Sequence, residues 1–260
     1  AKSLELKKAK NKIILHIDDD TVLPNNNWLQ KMLEFFAREP DATACYPLRY
    51  TYRKKDNFLN RYFALFGVND PLAYFLKKAD RQDYLPPKNK YKLKGHATDK
   101  GKYFLVEFNK NNLPTVGANG FLIKRSLLNK ILEDKKYFFH IDANLELIKK
   151  GFNKYVVVKN NVLHLSGGSL LKYLKKRSRY LNIVNLEQQN NRTYLTSSIQ
   201  KDFFKLVLFA IYANTFIGPL FVSFKGFFSK KDPAWFLHQI INFLIALIYF
   251  INVFKSWLKK

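Results

Sequence analysis

The chain has 260 residues, 47% of them hydrophobic and 16% aromatic, including 24 Phe and 15 Tyr. That content supplies a real core and excludes a largely disordered chain, and the length suits one domain with an appendage or two small domains. Lysine and arginine number 45 against 20 acidic residues, a formal charge of +25, so polyanionic partners are favoured: phosphorylated substrates, an anionic membrane face or nucleic acid. The single cysteine, Cys45, excludes an internal disulfide, and no Cys/His spacing of the zinc type accompanies it.

Taken in chain order, SLELKKAK (3–10) fits a short amphipathic helix. KIILHI (12–17) is an apolar run of the kind buried in a mixed or parallel sheet. It stops at Asp18, Asp19 and Asp20. PNNNWLQKMLEFFAREP (24–40) has helix-start chemistry, helical apolar spacing and a terminating Pro40. ATACYPLRYTY (42–52) reads as a second strand, and the order strand, acidic turn, helix, strand is that of an α/β protein. NFLNRYFALFG (57–67) and DPLAYFLKKADR (70–81) look like short helices, LPPKNKYKLKGHATDKGK (85–102) like loop and YFLVEF (103–108) like strand. LPTVGANGFLIKRSLLNKIL (113–132) reads as a Gly-containing turn followed by a helix. FFHIDANLELIKKGF (138–152) is a helix closed by Gly151, and KYVVVKNNVLHL (154–165) is a β-branched strand reaching His164.

Three adjacent carboxylates raise one another's pKa unless something neutralises them. A divalent cation does so, since Mg2+ and Mn2+ commonly bridge one or two carboxylates to substrate phosphates. Asp18 and Asp20, being alternate residues, could share one ion if the chain bends there. The alternative is a helix N-terminus decorated with acids that suit its dipole. Further on, TVGANG (115–120), Asp142 and His164 follow in order. Each has an ordinary reading too: turn glycines at Gly117 and Gly120, Asn119 capping the helix after it, a surface acid, a strand-end histidine.

Together these segments resemble a family 2 glycosyltransferase of the GT-A fold, over residues 1 to about 180. KAKNKIILHIDDDTVLPNNNWLQKM is similar to that family's central strand, DxD motif and following helix. VGANGFLIKRSLL resembles its acceptor-side loop, and FHIDANLELIKKGFNKYVVVKNNVLHLSGGS the segment carrying its catalytic acid and later histidine. The resemblance implies a GT-A-like mixed sheet with flanking helices and a nucleotide-sugar-dependent, hexosyl-transferring enzyme. It implies that Asp18 contacts the ribose or the metal's water shell, with Asp19 assisting. Asp20 binds Mg2+ or Mn2+ on the donor diphosphate, and His164 helps to ligate it. Gly117 and Asn119 belong to the substrate loop, and Asp142 is the general base for the acceptor hydroxyl. Attack opposite the diphosphate would invert the anomeric centre.

Two departures from the family stand out. Glu usually precedes the catalytic Asp, and here that position is Ile141. The family's opening strands, which hold the nucleotide base, precede the DxD strand by roughly a hundred residues, whereas this sequence starts just ahead of it; the expectation is a partial chain that by itself binds nucleotide poorly. Processive relatives carry Gln-x-x-Arg-Trp where this chain has Lys176, Arg179 and Tyr180, so polymer synthesis is not supported. Arg177 or Arg179 could still neutralise a diphosphate through bidentate contacts.

From about residue 165 the character changes. SLLKYLKKRSRYLNIVNLEQQ (169–189) is a basic helix, and residues 206–224 and 233–254 carry no charge. At roughly 1.5 Å per residue, about 20 residues cross a hydrocarbon core of roughly 30 Å. Gly218-Pro219 should kink the first apolar segment. His238, Asn242, Tyr249 and Asn252 form a polar stripe along the second. Lysines flank every end, which for a spanning hairpin opposes the positive-inside tendency, so a re-entrant or interfacial hairpin is favoured over two full spans.

The expected organisation is a partial GT-A-like domain over 1–180 and a basic, apolar, membrane-associated helical region over 181–260. The expected function is metal-dependent sugar transfer to a lipid-linked or glycan acceptor at the cytoplasmic face of an anionic membrane. Rival readings are a non-catalytic membrane-bound relative and a basic nucleic-acid-binding protein. The acids clustered at a strand end and the long apolar segments argue against the last, and no nucleic-acid partner is expected.

Overall fold

The computed structural model describes residues 8–85, 91–132, 139–165, 168–182, 192–194, 196–197 and 199–258. Most of the helix expected over 3–10, the first two residues of SGGS and the C-terminal part of the basic helix lie outside the described residues. The chain forms two compact units, both discontinuous in sequence. The first comprises Ala1–Thr51, Asp80–Gln82 and Lys92–His164; the second comprises Tyr52–Ala79, Asp83–Tyr91 and Leu165–Lys260. The helices read between residues 57 and 76 thus belong with the tail, not with the sheet.

The first unit is built on a mixed sheet. Its strands are β1 (Ile13–His16), β2 (Thr21–Val22), β3 (Ala44–Tyr50), β4 (His96–Asp99), β5 (Tyr103–Glu107), β6 (Phe121–Lys124) and β7 (Lys154–His164). The order is β1-β6-β3-β7-β5-β4, with β2 pairing β7 off that path. β3 and β7 run parallel. β6 is antiparallel to both β1 and β3, so β1, β3 and β7 all point the same way. Helix α1 (Trp28–Ala37) packs on β3 and β7. Its Trp28 and Met32 are fully buried, and the Trp28 indole donates to Asn161 O at 2.7 Å.

Three local expectations change. β1 was expected deep in the sheet, but it is an outer strand, half-buried at every position. An apolar run of this length shows only that one face is covered, not how many edges are paired. FLIK, expected to open a helix, is instead β6, buried between β1 and β3; the helix α4 (Arg125–Leu132) begins only after it. Asn119 therefore caps no helix. HATD, expected in a loop, is the exposed strand β4, closed onto β5 by a tight turn at Lys100–Lys102. A strand solvated on both faces carries no apolar alternation to betray it.

The second unit is helical: α2 (Phe58–Phe66), α3 (Pro71–Phe75), α6 (Leu170–Tyr180), α7 (Ile199–Thr215), α8 (Ile217–Ser229), a 3-10 turn (Pro233–Phe236) and α9 (Leu237–Leu258). Asn57 caps α2 through Asn60 N, and Asp70 caps α3 through Leu72 N. α9 packs against α2, α3, α6, α7 and α8, around Tyr62, Phe66, Leu72, Trp235, Ile241 and Ile245. The chain breaks at Phe216, just ahead of Gly218-Pro219, bending α7 and α8 by 72°.

The polar stripe of α9 faces inward. His238 meets the Tyr62 and Tyr212 hydroxyls at 3.0 Å, one on each ring nitrogen, and stacks on Phe66. Asn242 and Asn252 are buried as well. The outward faces are apolar instead: Phe204 and Phe228 are 80% and 78% exposed, with Leu208, Ile217, Phe221 and Phe250 also open. Pro233–Asn252 is long and apolar enough to cross a membrane.

Helix α5 (His140–Lys149) closes the first unit's story, because it seats the loop that begins β6. Gly151 follows its C-terminus at φ +88°, as expected of a helix-ending glycine. At its other end, Asn144 is buried, donating to His140 O at 2.8 Å and Val116 O at 3.3 Å and accepting from the Tyr155 hydroxyl at 2.9 Å. Gly117, at φ +134°, lies so close to α5 that a Cβ there would stand 2.7 to 2.8 Å from His140 side-chain atoms. Gly117→Ala is therefore expected to destabilise the protein by about 1 kcal/mol or more, read as a lower urea midpoint at unchanged slope. An unaltered midpoint would show that α5 and this loop are not in contact.

Candidate active site

Because β1, β3 and β7 are co-directional, their carboxyl ends share one edge of the sheet. In open α/β sheets that is the edge where ligands bind. The loop Gly117–Gly120 leads into β6 at this same edge, since His16, which ends β1, pairs with Phe121. The three aspartates leave β1 there. Asp18 O accepts from Thr21 N at 3.0 Å, so the acids occupy a tight turn. Thr21 and Val22 then pair antiparallel with His164 and Leu163 at the end of β7.

That pairing separates the three acids. Asp18 opens the turn, half-buried; Asp19 is exposed. Asp20 falls beside His164, its Oδ1 3.2 Å from the imidazole Nε2. Asp18, Asp20 and His164 are read from sequence as common ligands of one ion; among the described residues no group of three or more His, Cys, Asp or Glu side chains comes together as a metal cage. The bend puts Asp18 and Asp20 at different corners of the turn. Asp20 and His164 alone fit two neighbouring positions around an ion, which at about 2.1 Å from each ligand would hold them about 3 Å apart. Such an ion would need further oxygens from a diphosphate or water, and Mn2+ tolerates the imidazole better than Mg2+ does.

The loop of β6 braces the turn. His16 Nδ1 donates to Gly117 O at 2.9 Å, and Gly120 N donates to His16 O at 2.9 Å. Asn119 is buried in the left-handed region at φ +56°. It accepts from Thr21 Oγ1 at 2.8 Å and donates through Nδ2 to the Tyr50 hydroxyl at 3.2 Å. Gly117 and Asn119 thus touch the acid turn through His16 and Thr21. Asp142 lies in the first turn of α5, buried, two residues from both His140 and Asn144. Those two flanking residues pack on Gly117 and Val116, so the loop links the segment carrying Asp142 to the end of β1. Ile141 is buried next to it.

Tyr50, Asp80 and Arg81 escaped the sequence reading. Tyr50 ends β3, stacks on His164 with ring centroids 5.0 Å apart, and donates to Asp80 Oδ2 at 2.5 Å. Burial, aided by Asp80, pushes its phenol well above the ordinary range, so it stays protonated and donates. Arg81 donates to the carbonyls of Ala118 and Asn119. The sequence offered only an adjacent acid and base, Asp80-Arg81, at the end of a segment read as helix, and a tyrosine within a strand.

Arg177 and Arg179, read as diphosphate contacts, lie on α6 in the second unit. Arg177 is ion-paired with the buried Asp70. Burial lowers its pKa, but Asp70 and neighbouring tyrosines raise it more, so the charge is engaged where it stands. Arg179 is exposed.

The sequence matches the family model described as glycosyl transferase family 2 over residues 1–132. The matched stretch contains the acid turn and the Gly117–Gly120 loop and ends before Asp142 and His164. A search of curated proteins and a search of solved structures each found no match. With 132 of 260 residues conforming to the family, and a mixed sheet carrying an acid turn at its carboxyl edge, the chain is a member of glycosyl transferase family 2.

Proposed function

We propose that this glycosyltransferase moves a hexosyl group from a nucleoside-diphosphate sugar to an acceptor hydroxyl, with inversion and with Mg2+ or Mn2+. The observation that carries the reading is the 3.2 Å approach of Asp20 to His164 at the carboxyl edge of the sheet. These two residues would hold the cation. A bound cation supplies neutralising charge for the departing diphosphate. Asp18, half-buried at the start of the turn, is assigned to the donor's ribose, and exposed Asp19 to a supporting part. Asp142 takes the proton of the acceptor hydroxyl as the new bond forms, because an alcohol is a weak nucleophile until relieved of it. Gly117 and Asn119 are assigned to the substrate loop.

The acceptor is proposed to be a lipid-linked or surface glycan precursor presented at the cytoplasmic face of a membrane. The apolar outward faces of α7, α8 and α9 support this, as does the inward-facing polar stripe of α9. Exposed basic residues add attraction to anionic lipid of about 1 kcal/mol for each suitably placed side chain.

Two variants of the full chain test the chemistry. Asp20→Ala is expected to abolish cation-dependent transfer; turnover at the unmodified rate rejects the metal role. Asp142→Asn is expected to leave donor affinity within about twofold while lowering transfer by a factor of at least about 100; full transfer means that another group is the base.

Fractionation of cells expressing the chain tests the location. The protein is expected in the membrane fraction after a high-salt wash that removes purely electrostatic binders. Recovery in the soluble fraction would overturn membrane attachment.

A further inference from the structure

We propose that Arg81 is a positioning residue for sugar transfer, holding both flanks of the Asp20–His164 pair through Asn119 and Tyr50. The inference rests on the reading of that pair as the cation and diphosphate site. Arg81 and its neighbours Asp80 and Gln82 belong to the first unit, while the chain on either side of them belongs to the second. Three residues are thus inserted at the carboxyl edge, with Gln82 N donating to Leu48 O at 2.8 Å.

The Arg81 side chain is 0% exposed. A buried guanidinium must be compensated by hydrogen bonds and countercharge. Nη2 donates to Asn119 O at 2.9 Å and Ala118 O at 3.1 Å. Nη1 donates to Asp80 O at 2.8 Å and lies 3.6 Å from Asp80 Oδ2. The guanidinium carbon stands 5.2 Å and 5.3 Å from the ring centroids of Tyr46 and Tyr50, within range of a cation–π attraction. With its charge enclosed in this way, Arg81 is not a substrate-binding cation.

What it holds is the geometry around the pair. Asn119 adopts a left-handed conformation, uncommon for a residue with a side chain, and Arg81 ties down its carbonyl and the one before it. From that position the Asn119 amide reaches Thr21, the residue after Asp20, and Tyr50, whose ring stacks on His164. Asp80 completes the cluster by accepting from Tyr50 while facing Arg81. One cation therefore braces the side chain of the residue after the acid on one side and the ring stacked on the histidine on the other. Lysine cannot replace it, because an ammonium lacks the planar fork whose one nitrogen serves Ala118 O and Asn119 O while the other serves Asp80 O.

The test is Mn2+ binding by the full chain in the presence of pyrophosphate, read from the loss of the free-ion EPR signal, with circular dichroism and thermal midpoint as controls of folding. Removing partners that orient ligands typically weakens metal affinity about 10- to 100-fold. Arg81→Lys and Tyr50→Phe are each expected to weaken Mn2+ binding about 10-fold or more while the chain remains folded, and Asp20→Ala to abolish it. If Asp20→Ala abolishes binding but Arg81→Lys and Tyr50→Phe bind as the parent does, the positioning role is overturned and the site reading survives. If Asp20→Ala binds as the parent does, the site reading fails and the positioning role with it. Should Arg81→Lys not fold, Tyr50→Phe decides: it keeps the ring and loses only the hydroxyl, and parent-like affinity overturns the role.

Discussion

The antiparallel pairing of Thr21 with His164 is the contact on which the site depends. It takes the chain from the end of β1 to the end of β7 within five residues. In doing so it gives the three adjacent acids separate settings. Asp18 spends its carbonyl on the turn, Asp19 goes to water, and Asp20 is delivered to an imidazole. Like charges side by side along a strand would each favour protonation; distributed around a bend, they take separate surroundings.

Around that turn the first unit is stiff for identifiable reasons. The loop into β6 is held by Asn144, itself hydrogen-bonded to Tyr155, by His16 and by Arg81. Its glycine is required by the approach of α5, and its asparagine by the conformation and the two hydrogen bonds it makes. Asn119 and Asn144 each use both ends of the side-chain amide, and buried polar groups matched in this way specify one arrangement.

The second unit follows a different rule. Its interior contains Asp70 with Arg177, Asp232 with Arg61 and the Tyr52 hydroxyl, and His238 between two tyrosines. Its exterior on α7, α8 and α9 is rich in phenylalanine, leucine and isoleucine. Exposed apolar area on this scale marks a surface meant for another phase or partner. The same helices that look like spans by length are built as a pack with polar seams inside.

Much of this could be read from residue order. The strand within 154–165, the helix within 24–40, the α/β alternation and the break near Gly218-Pro219 come from local chemistry, that is, apolar period and turn residues, whereas the roles given to Asp18, Asp19, Asp20, Asp142 and His164 come from the family resemblance. Tertiary structure alone decided that β1 is an outer strand, that FLIK is a strand, that Asp20 rather than Asp18 meets His164, and that Arg177 serves Asp70. It also revealed Arg81, whose partners other than Asp80 are 31 to 38 residues away. The physical reason is one of range. Propensity and periodicity are properties of neighbours along the chain, whereas edge pairing, ion partners and the burial of a cation are settled only when distant segments are brought side by side.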